Sequence, residues 1–155
     1  MTSVTLSPYQ VGEARALTEL FYDTVHTVCK GDYTPEQLAV WADGTADPER
    51  WEQSFLQHQT LVARVDGIVA GFADRDGDYL DRLYVHKDVQ RQGVATALAD
   101  GLEQSAWAEG HRKMVTHASI TARPFFEKRS YKVVREQQVE RKGLLLTNYV
   151  MEKML

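Results

Sequence analysis

One cysteine, Cys29, is the only thiol in 155 residues. A lone thiol excludes an intramolecular disulfide framework and predicts a reducing compartment. No apolar run approaches the roughly 20 residues that a membrane-crossing helix needs, so no membrane span is expected. Positive charge is not in excess either: 18 Lys and Arg stand against 22 Asp and Glu, a formal net charge of -4. That balance gives no electrostatic case for nucleic acid or an anionic membrane as a partner. The opening residues, MTSVTLSPYQ, lack the basic and apolar blocks of a secretory leader. Together these absences predict a cytoplasmic protein. The chain also lacks repeats, low-complexity tracts, the Gly-Lys-Ser/Thr of a Walker loop and the Gly-x-Gly-x-x-Gly of a dinucleotide fold.

What is present suits one domain, residues 1–155, with enough hydrophobic content (43%) for a real core. Thr2 to Leu6 reads as a short strand. Leu17, Leu20, Phe21, Val25 and Val28 recur at helical spacing and predict a helix from about Val11 to Cys29. Thr34-Pro35 and Asp47-Pro48 each read as an N-cap followed by a first helical residue. They predict short helices to about Trp41 and Leu56. Strands are predicted at Thr60 to Val65, Ile68 to Asp74 and Asp78 to Val85, joined by turns at Asp66-Gly67 and Asp76-Gly77. Val94, Leu98, Leu102 and Ala106 make an apolar stripe, joined by Ala95 and Ala99, on a helix to about Trp107. A strand from Arg112 to His117, a helix from Thr121 to Lys128, and a hairpin of Tyr131 to Val139 and Leu144 to Met151 complete the chain. The order is that of an α/β fold: a mixed, mostly antiparallel twisted sheet of about six to seven strands flanked by helices. The helical connection after Val94 allows one parallel crossover.

The run Val89-Gln90-Arg91-Gln92-Gly93-Val94-Ala95-Thr96 joins a strand to a helix start. Those are the parts needed to hold a phosphate on backbone N–H groups. Gly93 lets the backbone approach a ligand with no Cβ in the way. Ala95 and Thr96 keep the first turn small, and its N–H groups lack intrahelical partners. Arg91 and Gln92 either add side-chain contacts to phosphates or stand in solvent.

Gln90, Gly93 and Ala95 fill the Gln/Arg-x-x-Gly-x-Gly/Ala signature, and the chain resembles the GNAT N-acetyltransferase superfamily, notably its small bacterial members. The order of elements fits over nearly the whole chain. The resemblance implies acetyl-CoA as cosubstrate, with its pyrophosphate on the loop amides from Gln90 to Thr96 and its pantetheine arm along the backbone of Leu83-Tyr84-Val85. A second stretch, Ser119 to Tyr131, is similar to the family's Asn-x-x-Ala-x-x-x-Tyr-Glu-Lys-x-Gly-Phe. It keeps Ala122, Glu127 and Lys128 but has Ser119 for Asn, Ser130 for Gly and Phe126 for Tyr. In many members that Tyr protonates the departing thiolate; Phe126 has no proton to give. It is left to pack against the CoA arm or within the core.

Thiolate, with a parent pKa of about 8.5, is a tolerable leaving group, whereas an amine near pKa ~10 arrives protonated. A base is therefore the larger need. Asp81 shares the strand parity of Leu83 and Val85 and reads as that base or as a salt-bridge partner. His117 ends its strand where the family's sheet opens, as a proton relay or a structural residue. Ser119 reads as a donor or a helix cap, and Tyr149 as an acid or a packing residue. The oxyanion needs a backbone N–H, at Tyr84 or Val85. In the family the acceptor pocket draws on the first two helices and the last hairpin, here His26, Cys29, Asp32, Tyr33, Trp41 and Asn148. His26 and Cys29 share a helix face, but nothing completes a metal-ligand set, and none is expected. The reading is an N-acyltransferase that moves acetyl to a small-molecule amine or a peptide by direct attack in a ternary complex. The alternative is a CoA-binding sensor without catalysis. A homodimer through the final hairpin is open.

Overall fold

The computed structural model describes residues 3–155. The chain runs β1 (Val4–Pro8), α1 (Ala14–Val28), α2 (Pro35–Trp41), α3 (Pro48–Gln57), β2 (Gln59–Val65), β3 (Ile68–Asp76) and β4 (Tyr79–Val85). It continues with α4 (Val94–Ala108), β5 (Lys113–Ser119), α5 (Arg123–Lys128), β6 (Lys132–Arg141) and β7 (Leu144–Met154). The seven strands form one sheet in the order β1-β2-β3-β4-β5-β7-β6. Every pairing is antiparallel except β4 with β5, which the α4 crossover makes parallel. This is the mixed α/β sheet that the sequence predicts. Of the first expected strand, Thr2 lies outside the described residues, and β1 extends past Leu6 to Pro8 because it pairs with β2 as far as Leu61.

Local chemistry explains the helix starts. Thr34 accepts from the Gln37 N–H while the Gln37 side chain accepts from the Thr34 N–H, a capping box with Pro35 behind it. Asp47 caps α3 by accepting from the Glu49 N–H. The helix expected from Val11 begins only at Ala14, since Gly12 takes a left-handed φ of 96° in the turn before it. β5 runs two residues past His117, because β7 pairs with it out to Ser119–Asn148. α5 starts at Arg123 rather than Thr121, the Ser119 hydroxyl having accepted the Ala122 N–H at the turn.

Two cores lie on the two faces of the sheet. On one, Val94, Leu98, Leu102 and Ala106 of α4 pack with Ala63, Leu80, Met114, Phe126 and Met151. On the other, Leu17, Leu20, Phe21 and Val25 of α1 pack with Phe55, Val62 and Phe72. No helix among the described residues is long and apolar enough to cross a membrane.

Besides register shifts at Ala63/Arg64 and Val133/Arg135, two irregularities interrupt the pairing at β4. β4 and β5 pair at only two positions, Tyr79↔Val115 and Leu80↔Thr116, and then part. The β3–β4 ladder slips by one residue: Arg75 pairs with Leu80 but Asp74 with Arg82, leaving Asp81 as a bulge. Beside them, α4 rests directly on β3 at Gly71, where a Cβ would lie 2.8 Å from the Tyr84 carbonyl oxygen and 3.1 Å from Val94 Cγ1. Gly71→Ala is therefore expected to lower the unfolding free energy by about 1–3 kcal/mol. An unchanged urea midpoint would show that the approach of β3, β4 and α4 is not as tight as described.

Candidate active site

Where β4 and β5 part, the sheet opens into a cleft of about 1720 Å³, lined by both strands, α1, the start of α4 and the β5–α5 turn. The His86 N–H donates to Ala70 of β3 at 2.7 Å. Strand alternation then turns the backbone groups of Tyr84 toward β3 and those of Leu83 and Val85 toward the gap. The Val85 carbonyl confirms the direction. It accepts from Thr24 Oγ1 of α1 at 3.0 Å and from Gln90 Nε2 at 2.7 Å. Gln90 thus acts through its side chain as a strut that fixes the loop to the end of β4.

Beyond Gln90 the chain turns through two left-handed residues, Arg91 (φ 62°) and Gly93 (φ 85°), before α4 begins. No side chain caps α4. Its first N–H groups, at Val94, Ala95 and Thr96, belong to residues that line the cleft. A Cβ built on Gly93 meets nothing within 4 Å. The fold does not need the empty space there. Uncapped amides, the positive end of the helix dipole and an open approach fit a pyrophosphate. Arg91 lines the cleft as well, while Gln92 is not part of its lining.

Asp81 and His117 are the first residues past the last β4–β5 pair, one on each strand. The bulge reverses the expected parity of Asp81. Leu83 and Val85 pack toward α4, whereas Asp81 falls on the face of Asp74 and Arg82, its Oδ2 4.0 Å from Arg82 Nε. Its side chain is 36% exposed, and partial desolvation, then the neighbouring Asp74 carboxylate, shift its pKa upward from the ordinary carboxyl value. His117 is exposed, stands edge-on to the Tyr79 ring at 5.2 Å, and has Gln137 Nε2 3.3 Å from its Nδ1.

Known proteins share this architecture. The profile of the acetyltransferase (GNAT) domain matches residues 29–153. The uncharacterised N-acetyltransferase YafP of Escherichia coli K12 is 33% identical over 151 residues, covering 97% of this chain and 96% of that protein. The chain belongs to the GNAT acetyltransferase family. The crystal structure of a GCN5-related N-acetyltransferase from Rhodopseudomonas palustris superposes with a TM-score of 0.95 at 33% identity, covering 100% and 98% of the two chains. The putative acetyltransferase YncA from Salmonella typhimurium, determined with its cofactor acetyl-CoA, shares the fold at a TM-score of 0.75 and 19% identity, covering 98% and 94%.

Within this GNAT frame the other expected residues divide. Trp41, Tyr33, Cys29, Asn148, Ser119 and Phe126 line the cleft. Tyr33 is a lock: its hydroxyl donates to the Thr147 carbonyl at 2.7 Å and accepts from the Ile120 N–H at 2.9 Å. Burial pushes its pKa up to about 12. Trp41 meets Tyr33 edge-on at 5.1 Å and adjoins the Tyr84 hydroxyl. Cys29 is buried beside Thr121, and burial raises its thiol pKa, which suits packing better than nucleophilic attack. Phe126 is 3% exposed and packs edge-on against Tyr131 at 5.0 Å.

Three residues sit elsewhere. His26 gives its Nε2 to the Ala42 carbonyl at 2.7 Å and ties α1 to the end of α2, outside the cleft lining. Asp32 accepts from Thr121 Oγ1 at 2.8 Å at the rim. Tyr149 lies on the α4 face of the sheet under the Arg123 guanidinium, 4.5 Å away, the side opposite His117.

Sequence reasoning missed the network behind Asp81. Asp74, fully buried, accepts from Arg82 Nε at 3.1 Å and from His58 Nδ1 at 2.7 Å. A ring nitrogen of His58 and one carboxylate oxygen each of Asp74 and Asp81 lie within 4.8 Å of one another. Arg82 and His58 already take up the Asp74 oxygens in a hydrogen-bonded Arg–Asp–His network.

The loop geometry yields a direct test. Gly93→Trp is expected to weaken acetyl-CoA binding by about 100-fold or more, ~2.7 kcal/mol. Its cost to folding is confined to the left-handed backbone, about 1–2 kcal/mol. Calorimetric titration and a urea melt read the two effects separately; wild-type affinity would remove the loop from the binding site.

Proposed function

We propose that this GNAT enzyme moves an acetyl group from acetyl-CoA directly to an amine acceptor in a ternary complex, with Asp81 taking the acceptor's ammonium proton. The observation that carries this reading is the position of Asp81, bulged into the cleft lining one residue past the point where β4 and β5 part. Acetyl-CoA, when bound, supplies the activated acyl group as a thioester. The first-turn amides of α4 and Arg91 would hold its pyrophosphate. The gap-side backbone of Leu83 and Val85 would take its arm, and the Val85 N–H is the donor available to the acyl oxygen.

The acceptor side supports a cationic small molecule or a peptide amine. Glu19, Asp23, Asp43 and Asp81 line the cleft together with Trp41, Trp51, Tyr79 and Tyr84; Arg15, Arg82, Arg91, Lys128 and Arg141 line it too, and Lys142 pairs with Asp43. Carboxylates and aromatic faces both favour an ammonium group. With Phe126 in place of a tyrosine, no acid stands at the family's usual position. The thiolate's parent pKa of about 8.5 makes a dedicated acid dispensable. A CoA-binding regulator is the competing outcome: it would bind acetyl-CoA and release no thiol with any amine. The single buried thiol supports a reducing, cytoplasmic setting. β6, at the end of the sheet, supports pairing with a second copy.

The pH dependence follows from Asp81. Its base form is present above its raised pKa, so kcat/KM falls as pH drops through that value. Asp81→Asn is expected to remove this acid limb and to lower kcat by about 10²–10⁴-fold, the usual share of a general base. Thiol release across a panel of amines checks both effects. A variant that keeps its rate and its acid limb would rule Asp81 out as the base.

A further inference from the structure

The Asp81 side chain is 36% exposed, and an acceptor and acetyl-CoA filling the cleft together would displace water from its cleft side. A base that is reloaded at every turnover then needs another route for its proton. The structure supplies one behind the strand. His58, the residue that ends α3, places Nδ1 2.7 Å from Asp74 Oδ2 and Nε2 3.9 Å from Asp76 Oδ2. Asp74 is fixed in turn by Arg82, which donates through Nε to both carboxylate oxygens at 3.1 and 3.2 Å. Arg82 also donates to Ser54 Oγ at 2.7 Å and lies over the Phe55 ring at 4.3 Å. An ionised Asp74 only accepts, so Nδ1 of His58 carries the hydrogen and Nε2 is the basic nitrogen. The ring is 15% exposed and the Asp76 side chain 76% exposed. The three side chains therefore step from the cleft to bulk solvent.

We propose that His58 is the proton exit of this site and that Asp74 is the positioning residue that sets its tautomer. The inference rests on Asp81 acting as the base. An N–H bond of the acceptor ammonium breaks and an O–H bond forms on Asp81. A ring nitrogen of His58 and an Asp81 oxygen lie within 4.8 Å, a span that one water bridges. The proton passes by that water to the His58 imidazole, whose Nε2 stands 3.9 Å from Asp76 Oδ2, and then to water beside Asp76. The imidazolium is held between two carboxylates while it exists, and both side chains return to their starting states. The charged and titratable groups that face Asp81 are Asp74 and Asp76 of β3, Tyr79 and Arg82 of β4, and His58.

The test compares three variants in the full chain, by thiol release at low buffer concentration. His58→Gln keeps a donor for Asp74 but carries no proton. It is expected to lower kcat about tenfold, leave KM for acetyl-CoA within about twofold, and recover rate as imidazole is added. Asp76→Asn changes an exposed side chain and tests the same route if His58→Gln folds poorly. It is expected to lose about two- to threefold in kcat, a deficit that imidazole erases. An undiminished kcat in both variants, or a loss that imidazole does not restore, overturns the exit. Asp81→Asn separates the two readings. If it keeps its rate, the base assignment fails and the exit with it. If it loses its rate while His58→Gln and Asp76→Asn do not, only the exit fails.

Discussion

Two residue pairs between β4 and β5 join the halves of this sheet, and the rest of the molecule depends on their number. Each strand has a full antiparallel partner on its outer side, β3 for β4 and β7 for β5, so neither loses its backbone pairing when the two diverge. The inner edges are where the cost falls, since buried backbone groups without partners are expensive. The chain covers part of that cost. Thr24 and Gln90 both donate to the Val85 carbonyl on the β4 edge. On the other side Tyr33 bridges β7 and the turn after β5 through one hydroxyl. The remaining edge groups of Leu83 and Val85 face a cleft that a ligand with amide groups can enter.

The opening is also where the β3–β4 register slips, and charge explains the slip. With Asp76 opposite Tyr79 and Arg75 opposite Leu80, an unbroken ladder would set Asp74 against Asp81. Two carboxylates directly opposite repel, and one of them would be fully buried. A one-residue bulge puts Arg82 opposite Asp74 instead and sends Asp81 toward the cleft. The register is held from both faces. Arg75, 1% exposed, bonds Ser105, the Gly77 carbonyl and Glu109 on the α4 side. Arg82 and His58 hold Asp74 on the α3 side. Removing one member of such a buried pair costs on the order of 3–5 kcal/mol, because the other charge is stranded.

The same slip marks the limit of what the sequence discloses. The helices are legible because their signals are local: Thr34-Pro35, Asp47-Pro48 and the Val94-Leu98-Leu102-Ala106 stripe each carry their own cause. The loop is legible for the same reason, since a glycine and a helix start act through backbone that lies next to them. The side-chain chemistry is not. Asp81 has the parity of an unbroken strand in the sequence, and the bulge reverses it. His58 and Asp74 give no sequence signal because 16 residues separate them and only the β2–β3 pairing brings them together. Tyr149 looks equivalent to His117 by strand position, yet its cross-strand partner is Ala118, which turns it to the opposite face. The Asp74–Asp81 clash emerges only with the turn at Gly77-Asp78, where Asp76 faces Tyr79, one residue beyond the Asp76-Gly77 turn read from the sequence.

The two parts of the proposed site, a cofactor end and an acceptor end, therefore have different physical origins. The cofactor end is built from main-chain groups, and its shape follows from where strands stop and α4 starts. The acceptor end is built from side chains whose placement depends on register, on ion pairs and on which face a strand presents. A fold can keep the first while changing the second, which is how one architecture serves different amines. In this chain the second part is anchored by a buried Arg–Asp–His network rather than by a lone carboxylate. Burial does most to raise the basicity of Asp81, Asp74 adds to it, and Arg82 opposes both. The bulge fixes the distance of each neighbour. A change at the fully buried Asp74 would thus alter the chemistry of a cleft whose lining does not include it.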